Sequence, residues 1–592
     1  MRSIGLGLVI FSALVVCARA ETVLRVIPPP GATFAPGQHF DVRVEADDLR
    51  GTPRQFTIEV NGNDQKREIF GTEEFKTFRP SPAGRGASNQ TNGGVTRRNW
   101  SLERPGKYEL KATLTDANGM KLTATSTIEI QNLPPSPNRA RNVILFIGDG
   151  MGSAIRTAAR VMSKGIDGGR MKGLLEMDQL ETVGLVMTSS LDALVTDSSP
   201  GASAWATGNK SLNNWHGVFP DNTGPVVANG ALDRNPEAAI PYLDNPRVEN
   251  LAEFLQRTRR MSTGVVSTVA VTDSTPGAFS SHAVRYAQNA IAEQMLSSGH
   301  SVILGGGAKY FLPQEHPLLG NIPSARLDGR NIVEEFKKAG FMFVSTASEL
   351  EHSGRAEKLL GFFHGGDMAS RYDRNRAAAG NSTAKEVLGK FPDQPTLELM
   401  TRQALNVLGK NPNGFFLMIE GGSIDRELHR FDPNRAVDEL IELDKAIGIA
   451  RAWSAERGND TLILVTADHE TAGLVLTGVN ENGRPSGREF PEYEDKNFDG
   501  FPDSFQPDFA LTFDFASSFN APKDNRVYDV PRNIRELNPN TTLTPSATGG
   551  GLGGHSAVDV PISARGPGAQ LFGVVQDNTE IFFKILRALG EK

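Results

Sequence analysis

Residues Phe415–His429, FFLMIEGGSIDRELH, bring three side chains able to bind a metal ion within ten positions: Glu420, Asp425 and His429. Asp425 and His429 stand four apart, so in a helix from Ile424 onward both leave one face a turn apart, as two ligands of one ion must. The apolar run Phe415–Ile419 reads as a buried strand. Glu420 then lies one residue past it, where open α/β sheets collect their chemistry. Taken alone, the stretch fits equally a strand, a Gly-Gly turn and a solvated helix start with an exposed histidine.

Other stretches repeat the arrangement. Asn142–Ile147 is a continuous apolar strand, and Gly148-Asp149-Gly150-Met151-Gly152 turns the chain toward a helix, leaving Asp149 at a strand exit. The turn lacks the lysine of a phosphate-cradling loop. Thr461–Thr466 is a third apolar strand, ending in Asp468 and His469, and a glycine-rich loop carries His555. The chain has ten histidines, and three of them fall at these places. Ser198 follows Asp197 and precedes Pro200 and an alanine-rich helical segment, so its hydroxyl lies near a helix N-terminus, where anions are favoured. Ser198 or Ser199 equally suits a plain helix cap. The β-rich run Thr263–Thr272 continues into VTDSTPGAFSSHAVRY, which offers Asp273, Thr275, His282 and Arg285: a carboxylate, a hydroxyl, an imidazole and a guanidinium. Arg285 could clamp a phosphate with two parallel hydrogen bonds.

These residues need a scaffold, and 592 residues are too many for one ordinary core. A content of 39% apolar and 22% charged residues is that of a globular protein, and a net charge of -7 with no long basic run argues against nucleic-acid binding. Residues 1–20 combine a basic start, an apolar stretch from Ile4 to Val16 and Ala18-Arg19-Ala20, the pattern of a cleaved secretory signal. Cleavage would remove Cys17, the one cysteine, so any metal must sit on His, Asp, Glu, Ser or Thr. No later run reaches the length of a membrane span, so the chain reads as a periplasmic or secreted, soluble protein.

Residues 21–135 hold short alternating segments, VLRVI, FDVRVEA, QFTIEVNG, KYELKATLTD and KLTATSTIEI, the pattern of a small immunoglobulin-like β-sandwich. Pro134-Pro135-Ser136-Pro137 reads as a stiff boundary. From 139 to 592 strands alternate with helices, which predicts an α/β domain with a mostly parallel sheet covered on both faces.

Jointly, IGDGMG, TDSSPGASAWATG, DSTP, EGGSIDRELH, TADH and GGH resemble the alkaline phosphatase family in content and order across most of residues 139–592. The resemblance implies a three-layer α/β/α sandwich and hydrolysis of small phosphate monoesters at two zinc ions and one magnesium ion. It implies Asp425, His429 and His555 on the first zinc, and Asp149, Asp468, His469 and Ser198 on the second. Magnesium would take Asp149, Thr275 and Glu420. Ser198 would be the nucleophile and Arg285 the phosphate clamp, although Arg285 stands three residues after His282 where family members usually place the arginine four after. Asp273 and Arg426 would support the magnesium site and the phosphate through water. A homodimer is compatible with this reading.

The connection from His469 to His555 predicts an insertion at about 475–545. Within it, Asp495, Asn497, Asp499 and Asp503 around Gly500 resemble a calcium loop without the final glutamate of an EF-hand. Two other functions compete. A phosphodiesterase of the same fold would lack the magnesium ligands, and a surface-binding protein would use the β-sandwich for attachment, with hydrolysis incidental.

Overall fold

A computed structural model describes residues 22–49, 51–78, 91–167, 169–221, 244–481, 484–486, 499–501, 511–515 and 554–590. The expected secretory signal of residues 1–20 with Cys17, most of the predicted insertion, and Asp495, Asn497 and Asp503 of the predicted calcium loop lie outside the described residues.

The N-terminal part is two facing sheets. One runs, in spatial order, Val23–Ile27, Phe40–Asp47, Asn92–Trp100 and Lys76–Phe78. The other runs Thr33–Phe34, Lys121–Ile130, Gly106–Thr115, Gln55–Val60 and Asn63–Asp64. Phe34, Phe40, Val44, Ile58, Leu114 and Ile128 fill the space between them. The sequence reading passed over the strand Asn92–Trp100, because Gly93-Gly94 and Arg97-Arg98 hide its alternation; pairing with Phe40–Asp47 forms it nonetheless. Phe219 and Val248, far along the chain, complete this core.

The larger part is a three-layer α/β/α sandwich on a ten-stranded sheet. Its spatial order is Met342–Val344, Leu359–Phe362, Val302–Gly306, Ser262–Ala270, Phe415–Gly421, Asn142–Gly148, Thr461–Thr466, Val560–Arg565, Thr182–Met187 and Val575–Asp577. Only Val560–Arg565 runs against its neighbours. The central strands are buried on both faces, which is why they read as unbroken apolar runs.

Register positions the chemistry. Ile147 lies opposite Glu420 on one side and Thr466 on the other, and Ser267 lies opposite Glu420 from the next strand, so these strands end at one level. Two expectations need correction here. Glu420 belongs to the strand Phe415–Gly421 rather than following it, because the neighbouring ladders continue through it. The run expected to continue as strand beyond Thr272 instead turns at Asp273, whose carboxylate caps the short helix Ser274–Ala278. Among the described residues no helix is long and apolar enough to cross a membrane.

Candidate active site

Asp149, Glu420 and Asp468 arrive at the sheet edge on three adjacent strands, and short helices add the rest. Ser423–His429 brings Asp425 and His429 to one face, with Asp425 Oδ2 3.2 Å from His429 Nε2. Ser198–Thr207 begins at Ser198, where Asp197 accepts the Ser199 N–H at 2.6 Å. The turn after Asp149 requires glycine. Gly150 has φ 71°, and a β-carbon there would meet Thr471 Oγ1 at 2.6 Å.

The gathered atoms form two overlapping groups, Asp149 with Asp468 and His469, and Asp425 with His469 and His555, each with its ligand atoms within 4.8 Å. His469 Nε2 lies 3.2 Å from Asp468 Oδ2, 3.4 Å from Asp149 Oδ1 and 3.1 Å from Ser198 Oγ. His555 Nε2 is 3.1 Å from His429 Nε2 and 3.6 Å from Asp425 Oδ1, and its Nδ1 is 2.8 Å from the Thr196 carbonyl. Glu420 accepts a 2.5 Å hydrogen bond from Ser267. All the residues expected at the metal centres thus meet at one edge of the sheet, as does Ser198.

Their electrostatics are unbalanced. Burial, then Asp468, Asp425 and Glu420, push Asp149 well above the usual carboxylate range. Burial also raises Glu420 to about 8, against the Ser267 hydrogen bond. Burial opposes ionisation of Asp425, but His429 and the other two histidines hold it well below the usual range. His555 is pushed down to about 3 by burial and by His469. Oδ1 of Asp149, Oδ2 of Asp468 and the Thr275 hydroxyl are buried without a hydrogen bond. Buried oxygens left in this way beside imidazole nitrogens form a donor set that fits divalent metal ions.

Two arginines lie beside this cluster. Arg285 donates to Asp197 at 3.2 Å and to Asp273 at 3.1 Å, while Arg426 donates to Asp273 and, at 3.3 Å, to Asp367. Burial resists a charge on Asp273, yet Arg426 and Arg285 bring it down to about 2. Of the four predicted calcium ligands only Asp499 is among the described residues, and its carbonyl accepts from Lys445 of the helix Pro433–Ala455.

Sequence reasoning missed several supporting groups. Thr471 donates to Asp425 at 2.5 Å and lies 3.2 Å from His469 Nδ1, tying the two groups together. Its position two residues after His469 was the available signal. Ser267 was not visible, because only the register shows what faces Glu420. Asp197, noted for its place before Ser198, also holds Arg285.

Residues 140–590 match the alkaline phosphatase family. The chain is 29% identical over 489 residues to the streptomycin-6-phosphate phosphatase of Streptomyces griseus, an alignment covering 77% of this chain and 91% of that protein. It is 32% identical over 372 residues to the alkaline phosphatase of Escherichia fergusonii, covering 57% of this chain and 71% of that one. The crystal structure of a cold-active alkaline phosphatase from Shewanella sp. superposes with a TM-score of 0.51 at 27% identity, covering 76% of this chain and 100% of that chain. With residues 140–590 matched, the chain belongs to the alkaline phosphatase family and is a phosphoric monoester hydrolase.

Proposed function

We propose that the protein is an exported alkaline phosphatase that hydrolyses small phosphate monoesters through a covalent phosphoserine at Ser198. The observation that carries this reading is the position of Ser198 Oγ, 3.1 Å from His469 Nε2 and next to buried oxygens of Asp149 and Asp468 that have no hydrogen bond. Asp425, His429 and His555 would hold one zinc ion, Asp149, Asp468 and His469 a second, and Asp149, Thr275 and Glu420 a magnesium ion. When bound, these ions would supply Lewis acidity, favouring the ionised forms of hydroxyl and water and neutralising charge on the ester.

The chain's own residues do the rest. Ser198 opens a helix, so the positive end of its dipole favours an arriving phosphate. Arg285 is held by Asp197 and Asp273 with its fork already oriented, which lowers the entropic cost of binding. Ser198 Oγ loses its proton and bonds to phosphorus as the P–O bond to the ester oxygen breaks and that oxygen takes up a proton; water then gives up a proton and attacks phosphorus, the bond to Ser198 breaks, Ser198 Oγ is reprotonated and phosphate is freed. His469 and His555, with rings stacked at 3.5 Å, wall one side of the nucleophile.

Ser198→Ala is expected to abolish turnover, and rapid acid quenching of the native enzyme with a monoester should leave one phosphoryl group on the peptide containing Ser198. Full activity in the variant would refute the assignment. Export rests on the signal-like residues 1–20, and a secreted protein beginning at Glu21 is the expected finding. The segment 495–503 would bind calcium as a staple; no calcium-dependent gain in melting temperature would remove that role.

A further inference from the structure

Among the many contacts of the N-terminal sandwich with the catalytic part is a set of buried hydrogen bonds around Gln38 and Thr33. Gln38 lies in the connection between Thr33–Phe34 and Phe40–Asp47 and is 0% exposed. Its amide N–H groups donate to the Thr207 carbonyl at 3.0 Å and the Glu249 carbonyl at 2.9 Å, while its oxygen accepts from Ala35 N at 2.9 Å. Thr33 adds to this: its hydroxyl donates to the Gly208 carbonyl at 3.0 Å, and its backbone exchanges two hydrogen bonds, 2.9 and 2.7 Å, with the side chain of Asn209.

Thr207 and Gly208 end the helix that Ser198 begins, so the sandwich supplies donors to carbonyls that a helix C-terminus otherwise leaves unpaired. Glu249 leads into the helix Leu251–Arg259, which Asn250 and Glu253 close with a capping box. Glu253 also binds His282 Nε2 at 3.1 Å, and His282 stands three residues before Arg285. One turn of the sandwich therefore grips two elements, one leading to the nucleophile and the other toward the guanidinium.

We propose that this turn, with Gln38 at its centre, is a positioning element of the phosphatase site rather than part of a detachable module. The proposal rests on the reading of Ser198 and Arg285 given above. Gln38 touches no substrate; it sets where the Ser198 helix lies relative to Arg285. Displacements well below an ångström at reacting atoms matter, since a shift of about 1 Å can cost roughly 100-fold in rate.

Gln38→Ala removes the partner of the buried Ala35 N–H and Glu249 carbonyl, while the Thr207 carbonyl keeps the Asn209 amide at 3.1 Å, so kcat and inhibition by inorganic phosphate are measured well below its melting temperature. The expected result is a kcat lower by roughly 10-fold with weaker phosphate inhibition. Where Gln38→Ala fails to fold, Thr33→Val and Thr33→Ser decide: the valine variant should lose kcat several-fold and the serine variant, which keeps the hydroxyl, should stay near the native rate. Native kcat and native phosphate inhibition in Gln38→Ala or Thr33→Val, with only a lower melting temperature, would overturn the proposal. Ser198→Ala run alongside keeps the two readings apart, because its loss of turnover stands whatever the Thr33 pair does.

Discussion

Glu442 and the acids at the sheet edge are all buried, and the molecule treats them in opposite ways. Along the helix Pro433–Ala455, Glu442 is 0% exposed yet sits below the usual carboxylate range: burial raises it, but Arg374 pairs with it at 3.1 and 2.5 Å and Leu397 N donates at 2.9 Å. Arg374 spends its remaining donors on the Ala369 and Pro395 carbonyls. At the sheet edge, Asp149, Asp425, Asp468 and Glu420 are also buried, but the groups among them are mostly imidazoles and hydroxyls, with Arg426 3.9 Å from Asp425, and two carboxylate oxygens have no hydrogen bond. A buried acid closed by a guanidinium is a structural pair. A set of buried acids facing one another, with imidazoles interleaved, either takes up protons or is offset by a bound cation.

Exchanging one acid in each region sharpens that contrast. Asp149→Asn keeps the shape but removes an anion, and kcat is expected to fall by at least about 1,000-fold. Its effect on the metal-free protein runs the other way. The folded state holds Asp149 above its unfolded value, so the stability associated with it is present at low pH and is lost as pH rises through the raised value. The metal-free variant should therefore melt higher than metal-free native protein at mildly alkaline pH, read by calorimetry in chelator; a lower melting temperature would break the contrast.

Arg374→Ala should do the reverse, destabilising by about 3–5 kcal/mol in denaturant unfolding while the folded enzyme keeps kcat within about twofold. Joint replacement by Arg374→Met and Glu442→Leu should recover much of that loss. Asp444 lies on the same helix but is held by the N–H groups of Glu176 and Met177, and burial outweighs them, raising it to about 6. Its contribution is full below the unfolded value and disappears as pH rises through about 6, so Asp444→Asn should flatten the fall in stability from below about pH 4 to above about pH 6 by roughly 3 kcal/mol. Smallest is Arg285→Ala, expected to weaken phosphate inhibition and raise KM roughly 10-fold, about 1.4 kcal/mol. Unchanged values would assign the clamp to another cation.

Much of the site could be read in the sequence because each acid sits where an apolar run ends. Asp149 and Asp468 follow strands buried on both faces and Glu420 lies near the end of another, all three leaving a continuous apolar signature, and Asp425 and His429 carry their helical spacing openly. Ser267 and Thr471 could not be read this way, because their roles depend on which strand lies beside which and where a hydroxyl points. In the sandwich, alternation revealed Phe40–Asp47 and Lys121–Ile130, whereas Asn92–Trp100 takes its strand from its neighbours rather than from its own residues. The sequence likewise carried no sign that Gln38 grips the Ser198 helix, a contact between residues 169 positions apart.

The central claim is that the unmatched acids at the sheet edge are completed by metal ions. Elemental analysis of the purified full-length protein, in parallel with phosphate release from a monoester, tests it most directly. Two zinc ions and one magnesium ion per chain are expected, with activity lost on chelation and restored by adding both metals. Full turnover in protein carrying less than one equivalent of divalent metal would contradict it.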